Sequence, residues 1–179
     1  MKLFVATDLH GSAYFAERVI EKFNSSNAGM LCLLGDVYNH GPRNPFPKDY
    51  APMKVAEMLN AIADKVMSVQ GNCDSSVDQM ISKFPFVEHN IVPLGNRRLF
   101  LTHGHVYNKT SLPMLSKGDV VIYGHFHVNE SAIVDGVYCL NLSSASLPKD
   151  TSAYCIVDEK SATIYDLNND KVILTQHFN

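Results

Sequence analysis

The chain has 179 residues, 46% of them hydrophobic and 18% charged, which suits one globular domain able to bury about 70% of the surface its unfolded form exposes. A net charge of −3 and a pI near 6.2 carry no electrostatic footprint for a long nucleic acid, but they leave a small phosphate ester open as a partner. No apolar run is long enough to cross a bilayer and the apolar start is cut short by Asp8, so neither a membrane span nor a signal peptide is expected, and the cytoplasm is the expected compartment.

The first half alternates strand and helix. Residues 2–6 form an apolar strand, after which Ser12 caps a helix through about Phe23, with Phe15, Val19, Ile20 and Phe23 on one face. Residues 30–34 are a second strand. A helix from about Pro52 places Val55, Leu59 and Ile62 together, the proline being tolerated in its first turn. Residues 65–69 are a third strand, and Asp74 or Ser75 is positioned to cap a short helix over about 77–83. The stretch 38–51 holds Pro42, Pro45 and Pro47 and is the one long irregular segment, of the kind that carries function.

From about Ile91 the pattern changes to closely spaced strands, with a helical turn expected near 112–115. Segments 98–101, 120–123, 131–134, 137–140, 154–157, 162–165 and 172–177 fit, divided by turn residues such as Asp135-Gly136 and Asn168-Asn169-Asp170. A β-α half running into a β-rich half without a linker implies two sheets packed face to face with helices outside. Cys32, Cys73, Cys139 and Cys155 show no paired spacing and read as reduced thiols.

Five of the apolar segments run straight into a residue that can ligate a metal. LFVAT precedes Asp8-Leu9-His10, MLCLLG precedes Asp36, VMSVQG precedes Asn72, LFLT precedes His103, and VVIYG precedes His125-Phe126-His127. In open α/β sheets the carboxyl ends of strands face the crevice where ligands bind, so these ends would converge. Asp8 with His10, and His125 with His127, are two apart and on extended chain project to one side. Two carboxylates, one amide and four imidazoles exceed one ion's needs, but divide between two if Asp36 bridges. Oxygen and imidazole without thiolate suits manganese, iron, zinc or cobalt.

In this order the motifs D-x-H, G-D, G-N-x-D, H and G-H-x-H resemble the calcineurin-like metallophosphoesterases. Gly35-Asp36-Val37 leading to His40-Gly41-Pro42-Arg43-Asn44, with Gly71-Asn72-Cys73-Asp74-Ser75 and Leu101-Thr102-His103-Gly104-His105, looks like the small bacterial YfcE-type phosphodiesterases. The resemblance implies one metallophosphoesterase domain over 1–179, folded as a four-layer α/β/β/α sandwich of two mixed sheets. It assigns Asp8, His10, Asp36 and His127 to one ion and Asp36, Asn72, His103 and His125 to the other. Two divalent ions are implied, manganese first and Zn²⁺, Fe²⁺, Co²⁺ or Ni²⁺ as alternatives, as is a homo-oligomer.

The implied activity is hydrolysis of phosphate diesters by a hydroxide bridging two ions about 3.5–4 Å apart, which needs no protein nucleophile. Neither a G-x-S-x-G elbow nor a P-loop is present, in agreement. A phosphomonoesterase, or a non-catalytic scaffold like the retromer subunit of this fold, is the alternative. Cys73 stands where much of the superfamily has a histidine that protonates the leaving group, which favours leaving groups needing little protonation. With Asn72 and His103, Arg43 is a candidate catalytic residue, its guanidinium fork suiting phosphate; His40 on the same loop is a further candidate for phosphate, and His105 for a proton shuttle. His89 and His177 carry no motif. Asn141-Leu142-Ser143-Ser144 replaces the N-P-G-S of relatives, a change expected to alter a turn near the site without removing a ligand.

Overall fold

A computed structural model describes residues 1–179. The elements in chain order are β1 (Leu3–Ala6), α1 (Ala13–Ser25), β2 (Met30–Leu33), α2 (Pro52–Asn60), β3 (Val66–Val69), α3 (Ser76–Ile81), β4 (Phe86–Val87), β5 (Asn90–Leu94) and β6 (Arg97–Leu101). These are followed by β7 (Val120–Tyr123), β8 (Glu130–Val134), β9 (Val137–Asn141), β10 (Ala153–Val157), β11 (Ser161–Asp166) and β12 (Val172–His177).

Two sheets result, as the sequence pattern implies, and both are mixed, as the resemblance implies. One has seven strands in the order β12-β11-β10-β1-β2-β3-β4, the other five in the order β5-β6-β7-β9-β8. Strands β1, β2 and β3 run parallel, with Val5 opposite Cys32 and Cys32 opposite Met67. In the second sheet β6, β7 and β9 run parallel, with Leu101 opposite Ile122 and Ile122 opposite Leu140. Parallel strands covered on both faces must be apolar on both faces, and the wholly buried LFVA and VVIY are. Edge strand β12 instead alternates between half-buried and exposed residues.

The inner faces meet in a core that includes Leu3, Val5, Cys32 and Cys155 from one sheet and Leu99, Leu101, Ile122 and Leu140 from the other. On the outer face of the larger sheet, Val19 and Phe23 of α1 and Val55 and Leu59 of α2 pack against Phe4, Leu31 and Leu33. Ser12 caps α1 as expected, its hydroxyl accepting the Phe15 N–H at 3.3 Å. No helix is long and apolar enough to cross a membrane. All four cysteines are free, Cys32, Cys139 and Cys155 being buried within strands.

Two local expectations are corrected, at 112–115 and at the cap and end of α3. The turn near 112–115 is not helical: Leu112 and Leu115 share the outer face of the smaller sheet with Phe100, Val121 and Tyr107, so an irregular segment supplies the fourth layer there. The three-residue spacing of the leucines is met by packing without helical hydrogen bonds, and Pro113 lacks the N–H a helix would use. Strand β5 lies at a sheet edge, where Pro93 is tolerated although a proline argues against a central strand. Finally, Ser75 caps α3, its N–H donating to Asp78 at 2.7 Å, whereas Asp74 turns inward and the helix ends at Ile81.

Candidate metal centre

The ends of β1, β2, β3, β6 and β7 deliver Asp8, His10, Asp36, Asn72, His103, His125 and His127 to one place. Asp8, His10 and His103 are fully buried, Asp36 and His127 nearly so, and Asn72 opens to solvent. Backbone conformation makes the convergence possible. Asp8, His10, Asp36, His125 and His127 all have positive φ, between 48° and 68°. Such left-handed residues are uncommon outside glycine and gather where surrounding structure holds them for a purpose. Glycines give the carboxylates room: a Cβ on Gly71 would collide with Asp36, and one on Gly124 would reach within 2.6 Å of Asp8 Oδ2.

Each half of the site is a set of acceptors facing one another. His10 Nδ1 donates to the Asn39 carbonyl at 2.8 Å, His103 Nδ1 to Leu34 at 2.8 Å and His127 Nδ1 to Leu147 at 2.6 Å. A carbonyl can only accept, so these bonds put the proton on Nδ1 and turn the Nε2 lone pairs inward. His10 Nε2 and His127 Nε2 are then 3.4 Å apart, and Asp8 Oδ1 lies 3.5 Å from the first and 3.3 Å from the second. Asp8 Oδ2 accepts from Thr7 Oγ1 at 2.6 Å and the His125 N–H at 3.1 Å, while Oδ1 is buried without a hydrogen-bond partner. Buried acceptors converging without a donor fit a cation.

The second half repeats the pattern. His103 Nε2 lies 3.0 Å from Asn72 Oδ1, 3.3 Å from His125 Nδ1 and 3.5 Å from Asp36 Oδ2. The same Asp36 oxygen is 3.9 Å from His10 Nε2, so it faces both halves. Ligand atoms of Asp8, His10 and His127, and likewise of Asp8, Asp36 and His103, lie within 4.8 Å of one another, and the Cys73 thiol makes a third such group with His10 and Asp36. The donor set therefore fits divalent metal.

Charge agrees with this. Burial opposes ionisation of Asp8, but the adjoining imidazoles of His10 and His127, with His103 behind them, outweigh it and hold the carboxyl well below its usual value. Burial likewise disfavours a charged His10, yet Asp8 raises its proton affinity overall. His125 and His105 are pushed the other way, first by burial and then by His103. Burial and then the negative charge of Asp36 drive the Cys73 thiol up to about 12, so it stays protonated near neutral pH.

Above these residues opens a cleft of about 660 Å³, lined among others by Asn39, Arg43, Asn44, Phe126 and Lys149 together with Asp36, Asn72 and His125. Arg43 thus faces the site. His40 does not line it; its ring packs at a tilt against Phe46, ring centroids 4.4 Å apart. His105 is exposed beside His103, ring centroids 5.3 Å apart. His89 stacks on Phe100 and His177 is exposed on β12, both away from the cleft.

Two features escaped sequence reasoning. Lys149 lines the cleft because its N–H is tied to the His127 carbonyl at 2.9 Å, a pairing with no local signature. Asp74, a motif residue expected only as a cap, binds the backbone under Asp36 and Gly71; burial raises its carboxyl to about 6 against the pull of those N–H groups.

Comparison with known proteins follows the same lines. Phosphodiesterase YfcE of Escherichia coli K12 is 46% identical over 176 residues, 97% of this chain and 96% of that protein. A solved structure of the E. coli phosphoesterase YfcE superposes with a TM-score of 0.96 at 44% identity, covering 100% of both chains. Vacuolar protein sorting 29 of Cryptosporidium parvum shares the fold, with a TM-score of 0.66 at 20% identity over 99% of this chain and 97% of that one. The family model described as the calcineurin-like phosphoesterase superfamily domain matches residues 1–162, and the chain belongs to that superfamily.

Proposed function

We propose that this chain is a metal-dependent phosphodiesterase acting on small phosphate esters. The observation that carries it is the buried, partnerless Asp8 Oδ1 facing two inward lone pairs, with Asp36 set between that group and a second one around His103. Asp8, His10, Asp36 and His127 would hold one divalent ion and Asp36, Asn72, His103 and His125 the other. When bound, such a pair neutralises phosphate charge and activates water for in-line attack.

The chain's own residues do the rest. Arg43 and Lys149 are the cationic side chains of the cleft, and Asp36 is its one carboxylate, so an anionic ester is drawn in and oriented. Asn72 lines that cleft and lies 3.0 Å from the buried His103 Nε2. The protonated Cys73 thiol is too weak an acid to aid a poor leaving group, which favours diesters of acidic alcohols or phenols. The 46% identical relative being a phosphodiesterase supports the same choice. His105, exposed beside His103, would pass a proton to solvent.

Manganese is the preferred ion, the chain works in the cytoplasm as a homo-oligomer, and 1–179 is a single domain. A scaffold role is disfavoured by the complete set of inward-facing ligands. The test is turnover of bis(p-nitrophenyl) phosphate against p-nitrophenyl phosphate by protein of measured metal content. Metal-bound protein inert to both would overturn the enzymatic assignment, and a preference for the monoester would reassign it as a phosphomonoesterase.

A further inference from the structure

The short segment after β9 makes a concentrated set of contacts with two residues of the site. Ser143, Ser144 and Ser146 are all buried. Ser144 Oγ donates to the Asp8 carbonyl at 2.8 Å and Ser146 Oγ donates to the same carbonyl at 2.9 Å, filling both of its lone pairs. Ser144 Oγ also accepts the Leu147 N–H at 2.8 Å, which bends the segment back on itself. His127 is held in a matching way: its carbonyl accepts from Ser143 Oγ at 2.9 Å and from the Lys149 N–H at 2.9 Å, and its ring Nδ1 donates to the Leu147 carbonyl.

The two residues so held are the pair whose side chains meet at Asp8 Oδ1 and His127 Nε2, and both are in the left-handed conformation, at φ 55° and 61°. Non-glycine residues stay in that region when neighbours over-determine them. Hydroxyls spent on ligand carbonyls fix the direction of the ligand side chains, as outer hydrogen bonds around metal sites do. None of the three serines faces the cleft, so they touch neither substrate nor reacting atoms.

We infer that Ser143, Ser144 and Ser146 are positioning residues, which set the affinity of the ion held by Asp8, His10 and His127 and leave that of the ion held by Asn72, His103 and His125 unchanged. This rests on the two-ion assignment proposed above. The same segment carries Lys149, so it couples the aim of His127 to the placement of a cation in the cleft.

The test is calorimetric titration of chelated protein with Mn²⁺, with electron paramagnetic resonance at each equivalent, on parent protein, Ser144→Ala/Ser146→Ala, the milder Ser146→Ala, and Ser146→Thr, which keeps the hydroxyl. Parent protein should take up two ions and show a spin-coupled pair. The double variant should bind one equivalent about 10–100-fold more weakly and keep the other near parent affinity, showing a lone-ion signal at partial loading. Ser146→Ala should show the same selective loss in smaller measure, and Ser146→Thr should restore it. Where the parent takes up two ions, uniform weakening of both equivalents or unchanged binding in the double variant overturns the inference and leaves the two-ion assignment intact. A folded parent that binds no Mn²⁺ overturns that assignment and this inference with it.

Discussion

Asp74 clamps Asp36 from below: its Oδ2 accepts the Asp36 N–H and the Gly71 N–H, each at 2.7 Å, and its Oδ1 accepts the Val37 N–H at 2.9 Å. One buried carboxylate thus ties the end of β2 to the end of β3, the two strands that present Asp36 and Asn72. Asp74→Ala would leave three backbone donors without a partner, at a cost of about 3 kcal/mol. A thermal melt should show the midpoint lowered by roughly 6–12 °C for a chain of this size, and a drop under about 2 °C would contradict the account.

Metal removal should silence the protein. Chelated protein is expected to be inactive towards bis(p-nitrophenyl) phosphate and to recover with Mn²⁺, with Mg²⁺ restoring less because imidazole suits it poorly. Ion binding to the folded chain alone should also raise stability by about 2.7 kcal/mol at a hundredfold excess over the dissociation constant. Full turnover after rigorous chelation would exclude the two-ion mechanism.

Asp36→Asn removes the charge that faces both halves of the site. Because changes one shell further out already cost 10–100-fold, the loss here should exceed ~10²-fold in kcat/KM, with less metal retained. His177→Ala serves as the control: the residue is exposed on β12 and its loss should leave turnover within about twofold, as surface changes rarely matter. Parent-like kinetics and metal content in Asp36→Asn would refute its shared role.

Cys73→His tests how leaving-group preference arises. An imidazole there can donate a proton that the thiol cannot, help worth ~10²–10⁴-fold where the leaving group needs it. The variant should gain more on phenyl than on p-nitrophenyl esters. An identical leaving-group dependence in the two proteins would place the preference elsewhere in the cleft, with the 38–51 loop that carries Arg43 the first place to look.

Far from the site, Asp119 accepts the Arg98 N–H at 2.8 Å, Arg98 Nη2 at 2.6 Å and the Ser116 N–H at 2.8 Å. Burial works against the carboxylate, but these bonds prevail and lower its proton affinity. A carboxyl depressed in the folded state adds stability above its unfolded pKa of about 3.9, and loses it as pH falls through the lower folded value. Asp119→Asn should therefore cost about 1–3 kcal/mol at pH 7, and denaturant curves should show the gap to parent closing below about pH 4. A gap that does not change with pH would remove the charge from the explanation.

The order of apolar runs, each ending on Asp8, Asp36, Asn72, His103 or His125, was legible in the chain because a buried parallel strand must be apolar throughout and a ligand must sit at its exposed carboxyl end. Helix α1 was legible for a similar local reason, its cap and its apolar face lying within a few turns of one another. Tertiary structure alone decided what those signals leave open. Ser144 and Asp8 are 136 residues apart and Asp36 and Asp74 are 38 apart, so their hydrogen bonds leave no periodicity to read. Leu112 and Leu115 show the converse, a helical spacing satisfied by a sheet face without a helix. Local pattern records which faces are apolar and which residues can ligate, whereas the direction of a buried lone pair depends on whatever distant donor or acceptor reaches it, and that is set when the two sheets close on each other.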